Sequence, residues 1–195
     1  MKVIKFIFVV FVLFATACTS PQTNTKQEKD VTTFLGIPVD GTKNKMIQKL
    51  ESKGFTYDIL SDILKGEFNG RDVEISVVTN KLATDKKVYR IMVRDANYTT
   101  NTKEIKIRYN NLYYQFKNNS KYRPLYGGEI KKDEDISYKM IEKEKVYESG
   151  FMQKNKKGLW DKCKTVWFRI EKQDSNYGII ICYENGYNKA NGEDL

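Results

Sequence analysis

Apolar residues spaced two apart recur along this chain, and that period constrains its fold more than any other feature. Val73, Ile75 and Val77 alternate with Glu74 and Ser76, and Tyr89, Ile91 and Val93 share one face of KVYRIMVRD. Tyr147, Ser149 and Phe151 share a face further on, and TVWFRI (164–170, with Lys164) and YGIIICY (177–183) read as two more strands. Strands written this way turn one side to a core and the other to water, so the chain must build antiparallel sheet with one face to be covered. Asn69-Gly70, set between two apolar runs, predicts a tight hairpin because both residues tolerate the positive φ of a type I′ turn.

Two amphipathic stretches can supply the cover. FLGIPVDG is a short extended lead-in, and Thr42 is a candidate N-cap for KNKMIQKLESK, where Met46, Ile47 and Leu50 share a face and Gly54 is a natural stop. The spacing predicts a helix from about 43 to 53. Asn101 with Glu104 forms a plausible capping box, and Ile105, Tyr109, Leu112 and Phe116 recur at helical spacing, predicting a helix over about 103–118. A polar loop containing Pro124 follows. ISYKMIEKEKVYESGFMQ then reads as a hairpin turning near Lys143-Glu144, with Ile136, Tyr138 and Met140 alternating on its first arm. Helix followed by antiparallel strands therefore occurs twice, at 34–100 and 101–195. The expected architecture is α+β, two tandem helix-plus-antiparallel-strand repeats with helices packed on antiparallel sheet. One continuous sheet and two separate sheets both fit.

The N-terminus has a separate purpose. Lys2 and Lys5 precede the apolar run Phe6–Phe14, and Ala15-Thr16-Ala17 supply small residues before Cys18. This is the three-part pattern of a secretory signal, and the run is about half the roughly 20 residues a membrane span needs. Residues 1–17 read as a signal peptide. Ala15-x-Ala17 suits an ordinary signal peptidase. The same residues with Cys18 resemble a bacterial lipobox, with Ala15 where leucine is usual, which implies acylation of Cys18 by fatty acids such as palmitate. Residues 18–33 carry no aromatic after the cysteine and one aliphatic, Val31, and read as a flexible tether. The expected location is the cell envelope, lipid-anchored.

FLGIPVDGTKNKMIQKLESKGF (34–55), GEFNGRDVEISVV (66–78), KVYRIMV (87–93) and YNKANGEDL (187–195) resemble a family of envelope lipoproteins of gut anaerobic bacteria with no assigned activity. That resemblance implies a compartment and no mechanism. The tandem layout also looks like that of the secreted β-lactamase inhibitor proteins and of small outer-membrane assembly lipoproteins, a likeness of architecture that carries no function with it.

Chemistry is sparse. The chain has no histidine, which removes Ser-His-Asp and Cys-His catalysis and histidine-based zinc sites. No phosphate-binding glycine motif is present, and no cofactor or metal is expected. Asp72, Glu74, Asp133, Glu134, Asp135, Glu142 and Glu148 could in principle form the carboxylate pair of a glycan hydrolase, and ordinary solvated charge is the plainer reading. The Asp133–Asp135 cluster lacks the spaced ligands of a calcium loop. Cys163 and Cys182 could pair in an exported protein. A turn centred on Ser175 places Cys182 opposite Phe168 and leaves the two thiols out of register.

Loss of Lys2 and Lys5 with the leader lowers the formal net charge from +9 to +7, with lysine and glutamate interleaved, and export argues against nucleic acid as a partner. Tyr113, Tyr114, Tyr122, Tyr126, Trp160 and Tyr187 fall on the outer helix face, in loops or near the tail. Tyrosine and tryptophan are favoured at interfaces and stack on sugars, so these six form the candidate binding surface. The expected function is a non-catalytic, lipid-anchored binding module with an envelope protein or glycan as partner. A carboxylate-dependent glycan hydrolase and a structural envelope factor are the alternatives.

Overall fold

The computed structural model describes residues 30–80 and 86–189. The expected leader, Cys18 and the tether up to Lys29 lie outside the described residues. The packed structure begins earlier than Phe34: Val31 and Thr32 are buried, and the Thr32 hydroxyl donates to the Glu184 carbonyl. No helix among the described residues is long and apolar enough to cross a membrane.

The chain opens with a miniature hairpin, β1 (Thr33–Phe34) and β2 (Ile37–Pro38), followed by α1 (Lys43–Glu51). Four strands come next: β3 (Thr56–Asp58), β4 (Ile63–Phe68), β5 (Arg71–Thr79) and β6 (Val88–Asp95). The second stretch contains α2 (Thr102–Lys117), β7 (Tyr122–Tyr126), α3 (Ile136–Glu142), β8 (Glu148–Lys154), β9 (Trp160–Gln173) and β10 (Asn176–Asn185), and ends in a 3-10 turn at Gly186–Asn188. All strands after β2 join one antiparallel sheet in the order β3-β4-β5-β6-β10-β9-β8-β7. The two stretches thus share one sheet, joined through their last strands.

Local chemistry explains most of these elements. Asn69 (φ 54) and Gly70 (φ 70) make the expected type I′ turn, with Phe68 opposite Arg71. Asn101 caps α2 by accepting from the Lys103 and Glu104 amides; Glu104 reaches Thr99, and Thr99 in turn accepts from the Asn101 amide, so the capping box closes through one extra residue. Thr42 has the extended backbone of an N-cap but makes no capping hydrogen bond. Met46, Ile47 and Leu50 of α1 and Ile105, Tyr109, Leu112 and Phe116 of α2 bury against the same core as Ile75, Ile91, Phe151, Phe168 and Ile181. Phe116, Phe151 and Phe168 stack with centroids 5.2–6.2 Å apart.

Several further expectations are corrected. Residues 136–142 form a helix, not the first arm of a hairpin. Ile136 and Met140, four apart, satisfy both the strand and the helix period, and Asp135 decides between them by accepting from the Tyr138 amide as an N-cap. Tyr138, the residue a strand would have buried, is exposed. The partner of β8 is instead β7, read from sequence as loop; its Pro124 is tolerated because β7 is the edge strand. On β6 a bulge separates Arg90, opposite Val78, from Val88, opposite Thr79, so Val88 is buried where Tyr89 was expected to be.

The turn between β9 and β10 is the two-residue Asp174-Ser175, which places Cys182 opposite Trp167 rather than Phe168. That register sets core residues opposite core residues, Ile181 against Phe168, which a slip by one residue would forbid. Cys163 and Cys182 are both free thiols.

The two stretches are clipped together at α2. Arg108 lies against Asp95 through two hydrogen bonds, one of 2.8 Å from Nε, and Asp95 also accepts from the Ile179 amide at 2.9 Å. One buried carboxylate so ties a helix of the second stretch to the last strands of both.

Candidate interaction surface on the open face of the sheet

Both long helices pack on one face of the sheet. The alternate residues of β5, β6, β10, β9 and β8 point to the other face, which no helix covers, and cross-strand pairing arranges them in rows. One row runs Glu74, Arg94, Ile180, Arg169, Glu148, and the next runs Ser76, Met92, Cys182, Trp167, Gly150. A third runs Val78, Arg90, Glu184, Thr165, Met152.

The centre of this face is a ladder of guanidinium, ring and carboxylate. Trp167 donates its indole N–H to Glu184 Oε1 at 2.9 Å. Its ring sits between two arginines, with the Arg169 and Arg90 guanidinium carbons 5.6 Å and 5.8 Å from the centroid, within cation–π range. Arg90 also pairs with Glu184, yet its Nε is buried without a hydrogen-bond partner. Glu171 accepts from Arg94 Nε at 3.0 Å, Arg169 at 3.3 Å and the Tyr98 hydroxyl at 3.1 Å. Burial pushes the Glu171 carboxyl up, but the hydrogen bond and charge of Arg94, with help from Arg169 and Tyr98, outweigh it and hold the group below the ordinary carboxylate range. Burial and the neighbouring Glu171 push Tyr98 up to about 12.

Two glycines let aromatic rings lie flat on this face. A side chain at Gly178 would collide with the Tyr98 ring, its Cβ falling 2.7 Å from Cζ, and one at Gly150 would fall 2.4 Å from Tyr126 Cε1. Tyr126 also donates to Glu148 at 2.7 Å. At the far end Trp160 lies beneath Lys154, 4.9 Å from its centroid, and near Arg123 at 6.0 Å. The ladder seals what is under it: Ile180 and Cys182 are fully buried although they point away from the helices. Burial raises the Cys182 thiol to about 12.

The six aromatics singled out from sequence do not converge. Tyr126 and Trp160 lie on the open face. Tyr113 is buried against Phe151 on the helix-covered side, and Tyr122 is on that side too, edge-on to Phe116 at 4.9 Å. Tyr114 is on the outer face of α2, bonded to Glu129, and Tyr187 follows β10 with its hydroxyl on Asp161 at 2.7 Å. The residues that build the centre of the ladder, Trp167, Arg90, Arg94 and Arg169, were absent from that set. Their signal was available: each occupies the polar phase of an alternating strand.

The carboxylates are spread out. Glu74 and Glu148 are four strand spacings apart, roughly 19 Å, against the 5–10 Å that glycoside hydrolysis uses. Asp135 caps α3, and Glu134 bonds Lys145 and the Tyr147 hydroxyl. Among the described residues no cluster of three or more potential metal ligands occurs. The fold defines an α+β protein with helices on one side of an antiparallel sheet; comparison with protein-family models, curated proteins and solved structures finds no match to any of them.

Proposed function

We propose that this chain is a non-catalytic binding module, anchored in the cell envelope through an acylated Cys18, that holds a protein partner on the open face of its sheet. The observation that carries the reading is the ladder around Trp167. Arginine and tryptophan dominate the energetics of protein interfaces, above all where a rim excludes water from a central aromatic. Here the rings and guanidinium groups are already fixed by Glu171 and Glu184, so little side-chain freedom is left to lose on association.

The same reading treats the fold as two tandem units, 34–100 and 101–195. Each places a helix before four strands, and the strand order β3-β4-β5-β6 is mirrored by β10-β9-β8-β7. In that scheme α3 is an insertion between β7 and β8, and the ladder spans the seam between the units.

Mild crosslinking in the native envelope, followed by purification of the full-length protein, tests the surface. One partner should appear at stoichiometric amounts, and Trp167→Ala with Arg169→Ala should reduce its capture about a hundredfold. Tyr114→Ala with Tyr187→Ala, off this face, should leave capture unchanged. Equal capture by both double variants would remove the open face from consideration. Metabolic labelling with palmitate, lost in Cys18→Ser, tests the anchor separately.

A further inference from the structure

We propose that the β8–β9 turn is a membrane-contacting tip, which lowers Leu159 and Trp160 into the headgroup layer of the bilayer that holds the acylated Cys18. The inference rests on the lipid-anchor reading and adds a second, peripheral contact to it.

Asn155 and Gly158 build the turn. The Asn155 side chain accepts from the Lys157 and Leu159 amides at 3.0 and 2.9 Å, and its own amide donates to the Leu159 carbonyl at 2.8 Å. Gly158 supplies the left-handed position at φ 76. These bonds close the turn without any help from the Leu159 side chain. That side chain is nevertheless apolar and 62 % exposed, next to Trp160 at 36 %. Tyr187, also exposed, joins them from the end of β10, with its hydroxyl on Asp161. A leucine held out on a closed turn beside tryptophan and tyrosine suits the zone between headgroups and acyl chains, where amphipathic rings keep one edge wet.

The tip carries positive charge. Lys154, Lys157 and Lys162 are exposed around it. The two carboxylates nearby are engaged within the fold: Asp161 by the Tyr187 hydroxyl and the Cys163 amide, Asp30 by Lys164 and the Lys156 amide. Attraction to lipid phosphates acts over a screening length of about 10 Å and does not require a lysine without other contacts.

The bilayer is singled out as the occupant by the place where the chain enters the fold. Asp30, the first described residue, bonds the Lys156 amide inside this turn and Lys164 at its base, so the segment from Cys18 arrives at the tip itself. From Cys18 to Asp30 the chain spans at most about 40 Å. An anchored membrane is therefore always within reach of the tip. Tethering makes the contact intramolecular, so a pair of side chains too weak to hold a protein on a bilayer alone can be occupied most of the time. β8 and β9 rise from the tip, which leaves the centre of the open face clear of lipid for its partner.

The test uses the full-length chain isolated from its envelope and reconstituted in vesicles of equimolar phosphatidylcholine and phosphatidylglycerol carrying a diazirine on an acyl chain. Labelled peptides are mapped by mass spectrometry. Label should fall on the peptide carrying Leu159 and Trp160 as well as on residues before Asp30. Leu159→Asp should cut label at the tip about tenfold without changing the melting temperature, and Leu159→Phe should preserve it. Val146→Asp, at a position that is 63 % exposed but precedes β8 at the far end of the strand, should leave the label unchanged. Flotation separates this contact from the anchor. A protein that does not float with the vesicles lacks the anchor, and the tip contact falls with it. A protein that floats with label confined to residues before Asp30 keeps the anchor and overturns the tip contact, as does label at the tip that Leu159→Asp leaves intact.

Discussion

The two faces of the sheet are built from the same strands and bury comparable side chains by different means. On the helix side, β9 contributes Val166, Phe168 and Ile170 to a core that two helices close. On the open side the same strand contributes Trp167, Arg169 and Glu171, and these cover Ile180 and Cys182 themselves. A helix-covered face gains its stability from apolar area and ring stacking, which are insensitive to charge. A self-covered face depends on hydrogen bonds and cation–π contacts, individually modest and open to replacement by a partner. The first face is closed by helices, and the second is closed by its own side chains.

Adjacent residues of β9 give the sharpest way to break that comparison. Phe168→Ala removes a ring stacked on Phe116 and Phe151 and should cost about 3–5 kcal/mol. Trp167→Ala removes a larger ring that is only half-buried and should cost about 1–2 kcal/mol. Urea unfolding of both variants decides it. Equal shifts in midpoint would mean the open face is as structural as the core.

The sheet was legible because alternation survives in β5 and β9, β10 is a continuous apolar run, and Asn69-Gly70 dictates its turn locally. What the sequence hid lies where two local signals coincide or where a distant partner decides. Ile136 and Met140 fit either period, and only the cap at Asp135 separates them. β7 contains Pro124 and little alternation, and it becomes a strand because β8 offers an edge. The pairing of β6 with β10, which makes one sheet of two stretches, joins strands more than eighty residues apart, with no local mark. For the candidate surface, two signals select different residues: the six aromatics are spread over several parts of the molecule, whereas reading the polar phase of each strand collects Arg90, Arg94, Trp167 and Arg169 on one face.

A smaller effect should separate the faces by pH. Glu171 is held below the ordinary carboxylate range in the folded state. The folded protein therefore takes up that proton less readily than the unfolded chain. The stability it contributes is present above the unfolded value, near 4.5, and is lost as pH falls through the folded one. Glu171→Gln should lower the urea midpoint most at pH 7, with the difference from the parent shrinking between pH 5 and pH 3. A difference constant over that range would show that the arginines do not act through this carboxylate.

The smallest effect concerns closure of the ladder, read through a thiol. Cys182 is fully buried beneath the open face and its thiol is raised to about 12, so thiolate is scarce and access is blocked. Cys163 is half-buried near the end of the same face. Iodoacetamide at pH 8 should alkylate Cys163 well before Cys182 in the folded protein, and both together in denaturant. Trp167→Ala lifts the ring paired directly across from Cys182, so that thiol should react faster while the helix-covered core stays intact. If Cys182 in the parent protein is modified as fast as Cys163, the open face is not sealed by its own side chains, and the distinction between a core closed by helices and a surface closed by its own ladder fails.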